Sequence, residues 1–350
     1  MTMQAWSPDP GGTNYGGIPV QNAKGKTGKN FIPAAVTAIF IAVVILFNMV
    51  MNYLLIPYSF TRLKVHMLET MQFNNLILGS SHAGTNIDAT HLAGLTGRTT
   101  FNAAQGEQFP VDSYYLLKDA CIDQKPDRVI YEFDPTYWLT AQEIDSSYAN
   151  MFYEMRPSKE KLQYFFDKMW KVDFRTWISP WYFYRSQFGN IGANLYTKST
   201  DNYKNYGVAT FDSENQTVYG DGFIGVKPGK WEDEITVREW NENMIQKDDE
   251  KFFIKMAEFC RDEGIELVVV STPIPAGTYE AGKENFDLAY AHMTELSEKY
   301  DFRYMCYNTG ELKQEDLMDS EKFADWDGHM YEDAAHEFTG VFAGDLEAEG

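Results

Sequence analysis

Cysteine is scarce in this chain: three in 350 residues, Cys121, Cys260 and Cys306, each in an apolar context. So few thiols, so placed, read as buried free cysteines in preference to a disulfide framework, which leaves the compartment undecided. Positive charge is scarce too. Thirty Lys and Arg stand against 51 Asp and Glu, a formal charge of −21, so the basic face that a phosphate backbone requires is missing and no nucleic-acid partner is expected. Metal-ligand spacing is missing as well. His336 follows His329 by seven residues, outside the His-Glu-x-x-His pattern that brings two imidazoles to one zinc, and no metal or cofactor is expected. The glycine-rich run Gly220-Asp221-Gly222 lacks a following Lys-Ser/Thr pair and a helix start, so it does not read as a phosphate cradle.

One long hydrophobic run is present. Residues 31–56 contain only Thr37, Asn48 and Asn52 as clearly polar side chains. At about 1.5 Å per residue such a helix crosses a hydrocarbon layer of about 30 Å. A cleaved signal peptide is the rival reading, but the run is long for one and no small-x-small site follows it. Lys24, Lys26 and Lys29 before the span, against Arg62 and Lys64 after it, favour a cytoplasmic amino terminus and an outward-facing carboxyl-terminal part. Residues 1–30, rich in Gly, Pro and Asn, are expected to be a disordered cytoplasmic tail, and 57–73 a stalk.

From residue 74 onward the pattern is α/β. Short apolar runs at 75–78, 99–102, 128–133, 266–270 and 302–307 alternate with helical periodicity at 88–95, 111–122, 248–262, 285–300 and 333–346. Strands alternating with helices predict a three-layer αβα sandwich on a parallel, flavodoxin-like sheet. The rhythm stops between about 135 and 246, an aromatic-rich and mostly helical insertion within a domain of residues 74–350. Its rings read as core-filling in preference to a sugar-stacking lid over a site.

The strand at 75–78 runs into Gly79-Ser80-Ser81-His82, a turn that delivers a serine to the sheet's carboxyl edge, where open α/β folds do chemistry. A serine needs a base, and the turn Asp325-Trp326-Asp327-Gly328-His329 supplies an imidazole and two carboxylates. These blocks resemble the SGNH (GDSL-like) hydrolases, in particular their membrane-anchored extracytoplasmic branch, which includes the lipoteichoic-acid D-alanylation protein and alginate-type O-acetyltransferases. The resemblance implies Ser81 as nucleophile, His329 as base, and the Ser81 and Gly106 amides as oxyanion donors. It leaves the acid between Asp327, which is preferred, and Asp325. The third block departs from the pattern: where relatives carry an Asn, this chain has Asp134 followed by Pro135 and Thr136. An ionised Asp134 would repel an oxyanion, so Thr136 or backbone must donate instead, or the hole is incomplete.

The function implied is a membrane-anchored extracytoplasmic serine esterase or O-acyltransferase acting on acyl, chiefly acetyl, esters of a cell-surface polysaccharide or wall polymer. A multispanning membrane O-acyltransferase is the implied partner. The alternative is a degenerate relative serving as a glycan-binding or assembly component. His82 is read as a neighbour of the site and not its base; His66 and His292 are read as structural.

Overall fold

Alternate residues of strand β1 (Asn75–Leu78) feed two separate apolar cores. Leu76 and Leu78 face one side and Ile77 the other, as the two-residue period of a strand requires. The same alternation continues in β3 (Arg128–Glu132), where Val129 and Tyr131 oppose Ile130, and in β6 (Glu266–Ser271), where Leu267 and Val269 oppose Val268 and Val270. With β2 (Thr100–Asn102) and β7 (Arg303–Cys306) they form a five-stranded parallel sheet in the order β2-β1-β3-β6-β7. This is the expected α/β architecture, and each strand lies within a residue of the run that predicted it.

The computed structural model describes residues 31–229, 235, 237 and 239–348; the tail expected at 1–30 lies outside them. One sheet face is covered by α2 (Phe60–Thr70), α5 (Pro110–Asp123) and the helices Lys247–Glu263 and Lys283–Tyr300. The other is covered by α4 (Ala89–Thr96) and the closing helix Glu332–Ala348, through Leu92, Phe338, Phe342 and Leu346. Each fully buried large aliphatic or aromatic side chain contributes about 1.5–3 kcal/mol. Both layers are therefore secured independently of the loops that carry the site.

The amino-terminal apolar helix α1 (Phe31–Leu55) is long and apolar enough to cross a membrane, with mean hydropathy reaching 2.6 within Pro33–Leu55. The compact body begins at Asn48, inside this helix. The stalk expected at 57–73 is corrected: α2 is an integral helix whose Leu63, Val65 and Leu68 are buried. Its amphipathic pattern is masked in the sequence by Lys64, which is also buried.

The region 135–246 carries short helices, among them α6 (Pro135–Leu139), α7 (Ser146–Glu154) and α8 (Lys159–Tyr164). It also holds an antiparallel hairpin, β4 (Gln216–Val218) and β5 (Ile224–Val226). The glycine-rich run forms the hairpin turn and closes the edge of the sheet, where the Asn102 N–H donates to the Asp221 carbonyl at 2.8 Å. The insertion's aromatics divide. Trp138, Tyr164 and Phe165 fill the core as expected, whereas Phe166, Trp170, Phe174 and Trp177 remain at least half exposed.

Candidate active site

The sheet order reverses between β1 and β3, and the loops leaving these two strands frame a cavity of about 470 Å³ lined by Ser81, His82, Asp134, Tyr137, Asp327 and His329, among others. This is the switch point at which open α/β sheets bind ligands. Gly79 makes the turn. Its φ of +141° and a Cβ position only 2.8 Å from the Glu132 Cβ leave room for no other residue. Ser80 then caps α3 (Ser81–Asn86), accepting the His82 N–H while its hydroxyl donates to Glu132 at 2.8 Å. Ser81 is thus the first residue of a helix, with its own N–H free of any intrahelical partner.

His329 reaches it from the far end of the chain. Its Nε2 lies 2.8 Å from Ser81 Oγ, and its Nδ1 lies 2.6 Å from Asp325 Oδ2. The preference for Asp327 is corrected here. Asp325 Oδ1 also accepts the N–H groups of Gly328 at 3.0 Å and His329 at 3.2 Å, folding the turn back so that the carboxylate four residues upstream meets the ring. Asp327 is exposed on the cavity rim. Burial alone would raise the Asp325 pKa, but the His329 hydrogen bond and the two amides more than reverse this, to about 2. With an ionised acceptor on Nδ1, the imidazole presents the Nε2 lone pair to the serine.

Gly106 sits beside the serine, its Cβ position 3.9 Å from the Ser81 Cβ. Among the described residues no hydrogen bond engages the amides of Ser81 or Gly106, as an oxyanion site requires.

No protein-family model and no curated protein matches the chain. Among solved structures it is similar to one described as a lipolytic protein of the G-D-S-L family from Desulfitobacterium hafniense, at 8% identity and a TM-score of 0.36, over 77% of this chain and 98% of that one. So weak a superposition decides nothing about the reaction. The chemistry rests on the groups around Ser81.

Two of these groups stand beside Ser81 and Asp134, where the third block departs from the pattern. The Thr136 N–H is not free to donate into the site, since it donates to Asp134 Oδ1 at 2.8 Å. The next residue is. Tyr137 Oη accepts the Glu107 N–H at 3.1 Å and lines the cavity together with Ser81. Burial pushes the phenol up to about 12, so it stays a donor at ordinary pH. The charge of Asp134 is answered by His82, whose Nδ1 lies 3.4 Å from Asp134 and 3.8 Å from Glu132. Burial pulls the His82 pKa down, but Asp134 and then Glu132 raise it to about 9, while burial raises Asp134, which His82 in turn lowers. The His82 ring also packs edge-on against His329, centroids 4.7 Å apart.

Behind the Gly106 loop, the ammonium of Lys64 donates to the carbonyls of Asn102, Ala104 and Gly222 at 2.6–2.7 Å. Burial pushes Lys64 down to about 7, while three acceptors, which only the charged form's three N–H groups satisfy together, pull the other way. Neither Lys64 nor Tyr137 was recognised from sequence. The partners of Lys64 lie 38, 40 and 158 residues away. Of the other histidines, His66 stacks on Tyr206 and His292 lies between Trp138 and Trp240, both away from the cavity.

Proposed function

We propose that the chain is a membrane-anchored serine esterase or O-acyltransferase acting on acyl esters of a cell-surface polymer. The observation that carries this is the continuous hydrogen-bonded line from Asp325 through His329 to Ser81. In the reaction, Ser81 Oγ attacks the acyl carbonyl as its proton passes to His329 Nε2. The developing oxyanion is held by the Ser81 and Gly106 amides and the Tyr137 hydroxyl. The ester C–O bond then breaks, His329 returns the proton to the leaving alcohol, and the acyl group remains on Ser81. Water or a polymer hydroxyl, deprotonated by His329, releases it.

The cavity narrows the acyl group. Glu107, Glu132, Asp134, Glu143 and Asp327 line it, and none of its described lining residues is Lys or Arg. A neutral acyl group such as acetyl therefore suits it better than an anionic one. The apolar helix α1 supports a location at the membrane, and Lys24, Lys26 and Lys29 before it against Arg62 and Lys64 after it favour an outward catalytic domain.

The test uses the full chain in detergent with a fluorophosphonate probe and p-nitrophenyl esters. The wild type should label at Ser81 and turn over the acetyl ester faster than the succinyl ester, and Ser81→Ala should abolish both labelling and turnover. Unchanged turnover in Ser81→Ala removes this serine from the mechanism. An unlabelled wild type favours a glycan-binding or assembly role.

A further inference from the structure

The end of α1 is built into the folded body. The last carbonyls of a helix lack intrahelical partners, and here side chains supply them: Lys198 Nζ donates to the carbonyls of Tyr53 and Ile56, and Asn194 Nδ2 to those of Leu54 and Leu55. One turn earlier, the Trp181 indole N–H donates to Asn48 Oδ1 at 2.8 Å and its backbone N–H to Asn52 Oδ1 at 3.0 Å. Leu55, Ile56 and Tyr184 close a small apolar cluster around this junction.

Immediately before Trp181 in the chain lies an exposed aromatic face. Phe166, Trp170, Phe174, Trp177 and Ile178 are each 50–58% exposed. Phe166 meets Trp170 at 5.9 Å and Trp170 meets Phe174 at 6.1 Å between centroids, and Trp177 joins them through the buried Phe165 at 5.1 Å, so the rings form one connected group and not scattered side chains. A contiguous apolar face of this kind marks an interaction site. None of its members lines the active-site cavity. A sugar-stacking lid over Ser81 is therefore not what they form.

Charge and position identify the occupant. The chain carries 51 acidic against 30 basic residues, yet from Phe174 to Thr200 there is no Asp or Glu. Of the three basic residues in that stretch, Arg175 pairs with the adjoining Asp173 and Lys198 is bound to the end of α1, which leaves the exposed Arg185 without a carboxylate partner among the described residues. An acidic domain has cleared its carboxylates from one segment, the segment that runs from the aromatic face to the end of α1. Trp177 is four residues from Trp181, at most about 14 Å of extended chain. Aromatic rings beside a cation, with carboxylates kept away, are what the headgroup layer selects at the end of a spanning helix.

We propose that this aromatic face lies in the interfacial layer of an anionic phospholipid bilayer and holds the catalytic domain against the membrane beside α1. The proposal rests on α1 spanning that bilayer.

The test places nitroxide labels on the full chain in nanodiscs of phosphatidylcholine and phosphatidylglycerol, at Phe174→Cys, at Val43→Cys in the apolar run, and at Asp262→Cys on an exposed helix end. The unsubstituted chain corrects for native thiols, and Ile178→Cys replaces Phe174→Cys if that variant does not fold. Collision with oxygen and with a water-soluble nickel chelate is read at each label. Labels at 43 and 174 should favour oxygen, and the label at 262 the chelate. If 43 favours oxygen but 174 matches 262, the docking proposal is overturned and the anchor stands. If 43 also favours the chelate, the anchor reading fails and takes the proposal with it. A label at 174 shielded from both reagents means that protein covers the face, which overturns the lipid assignment.

Discussion

Substituting either aspartate of the 325–329 turn separates a triad from a coincidence of polar groups. In Asp325→Asn the amide has two orientations. With its oxygen toward His329 Nδ1, its NH₂ would face the N–H groups of Gly328 and His329, which now donate to Asp325 Oδ1 at 3.0 and 3.2 Å, so two donors would meet one donor group. The opposite orientation satisfies both backbone donors and points the NH₂ at Nδ1. The imidazole must then carry its proton on Nε2, where it faces Ser81 Oγ at 2.8 Å and leaves no lone pair to accept the serine proton. A wrong-tautomer triad of this kind in serine proteases loses about 10⁴ in kcat, which at about 1.36 kcal/mol per decade is about 5.4 kcal/mol of barrier. Asp327 is exposed and makes no such contact, so Asp327→Asn should stay within a factor of about 2. The assay is kcat/KM on p-nitrophenyl acetate together with the rate of fluorophosphonate labelling, which reads the nucleophilicity of Ser81 without an acceptor. Greater damage from Asp327→Asn than from Asp325→Asn, or more than a tenth of the activity left in Asp325→Asn, would refute this reasoning.

Tyr137→Phe removes one oxyanion donor and should lower kcat by about 10²–10³ with little change in KM; a larger effect on KM would make the hydroxyl a ground-state contact. Lys64→Met leaves three buried carbonyls without a donor and should destabilise the fold by about 3 kcal/mol or more, read from the urea midpoint; an unchanged midpoint would show that the ammonium is not needed there. His82 has its pKa raised from 6.5 to about 9 on folding, so its contribution to stability is complete below about 6.5 and is lost as pH rises through about 9. His82→Gln should flatten that alkaline decline, measured as the denaturation midpoint between pH 6 and 10, and an equally steep decline in the variant would assign it to another group.

The sheet could be read from the sequence because its strands are short apolar runs with sharp ends. Lys125-Pro126 stops α5 before β3, and Gly264 stops the helix before β6, so each boundary is fixed by residues adjacent in the chain. The meeting of Ser81 with His329 could be read for the same reason, since each sits in a turn at a sheet edge. What the sequence hid depends on contacts across the fold. Lys64 looks like a polar residue on a short linking helix, and only the closing of the β2 loop against the hairpin turn at Gly222 surrounds it with carbonyls. Asp134 looks like an unopposed charge at the oxyanion position until the turn after β1 sets His82 against it. The acid was within reach of a local argument. An aspartate followed three residues later by glycine is able to take the turn's amides on its own side chain, and Gly328 does adopt a φ of +119°, with its Cβ position only 3.0 Å from Ile274 Cγ2. Such a turn shortens the path from residue i to residue i+4, which brings Asp325 to the ring and leaves Asp327 at its outer bend. The family resemblance, which favours an Asp two positions before the histidine, carries no information about this turn, and so it points to Asp327 instead.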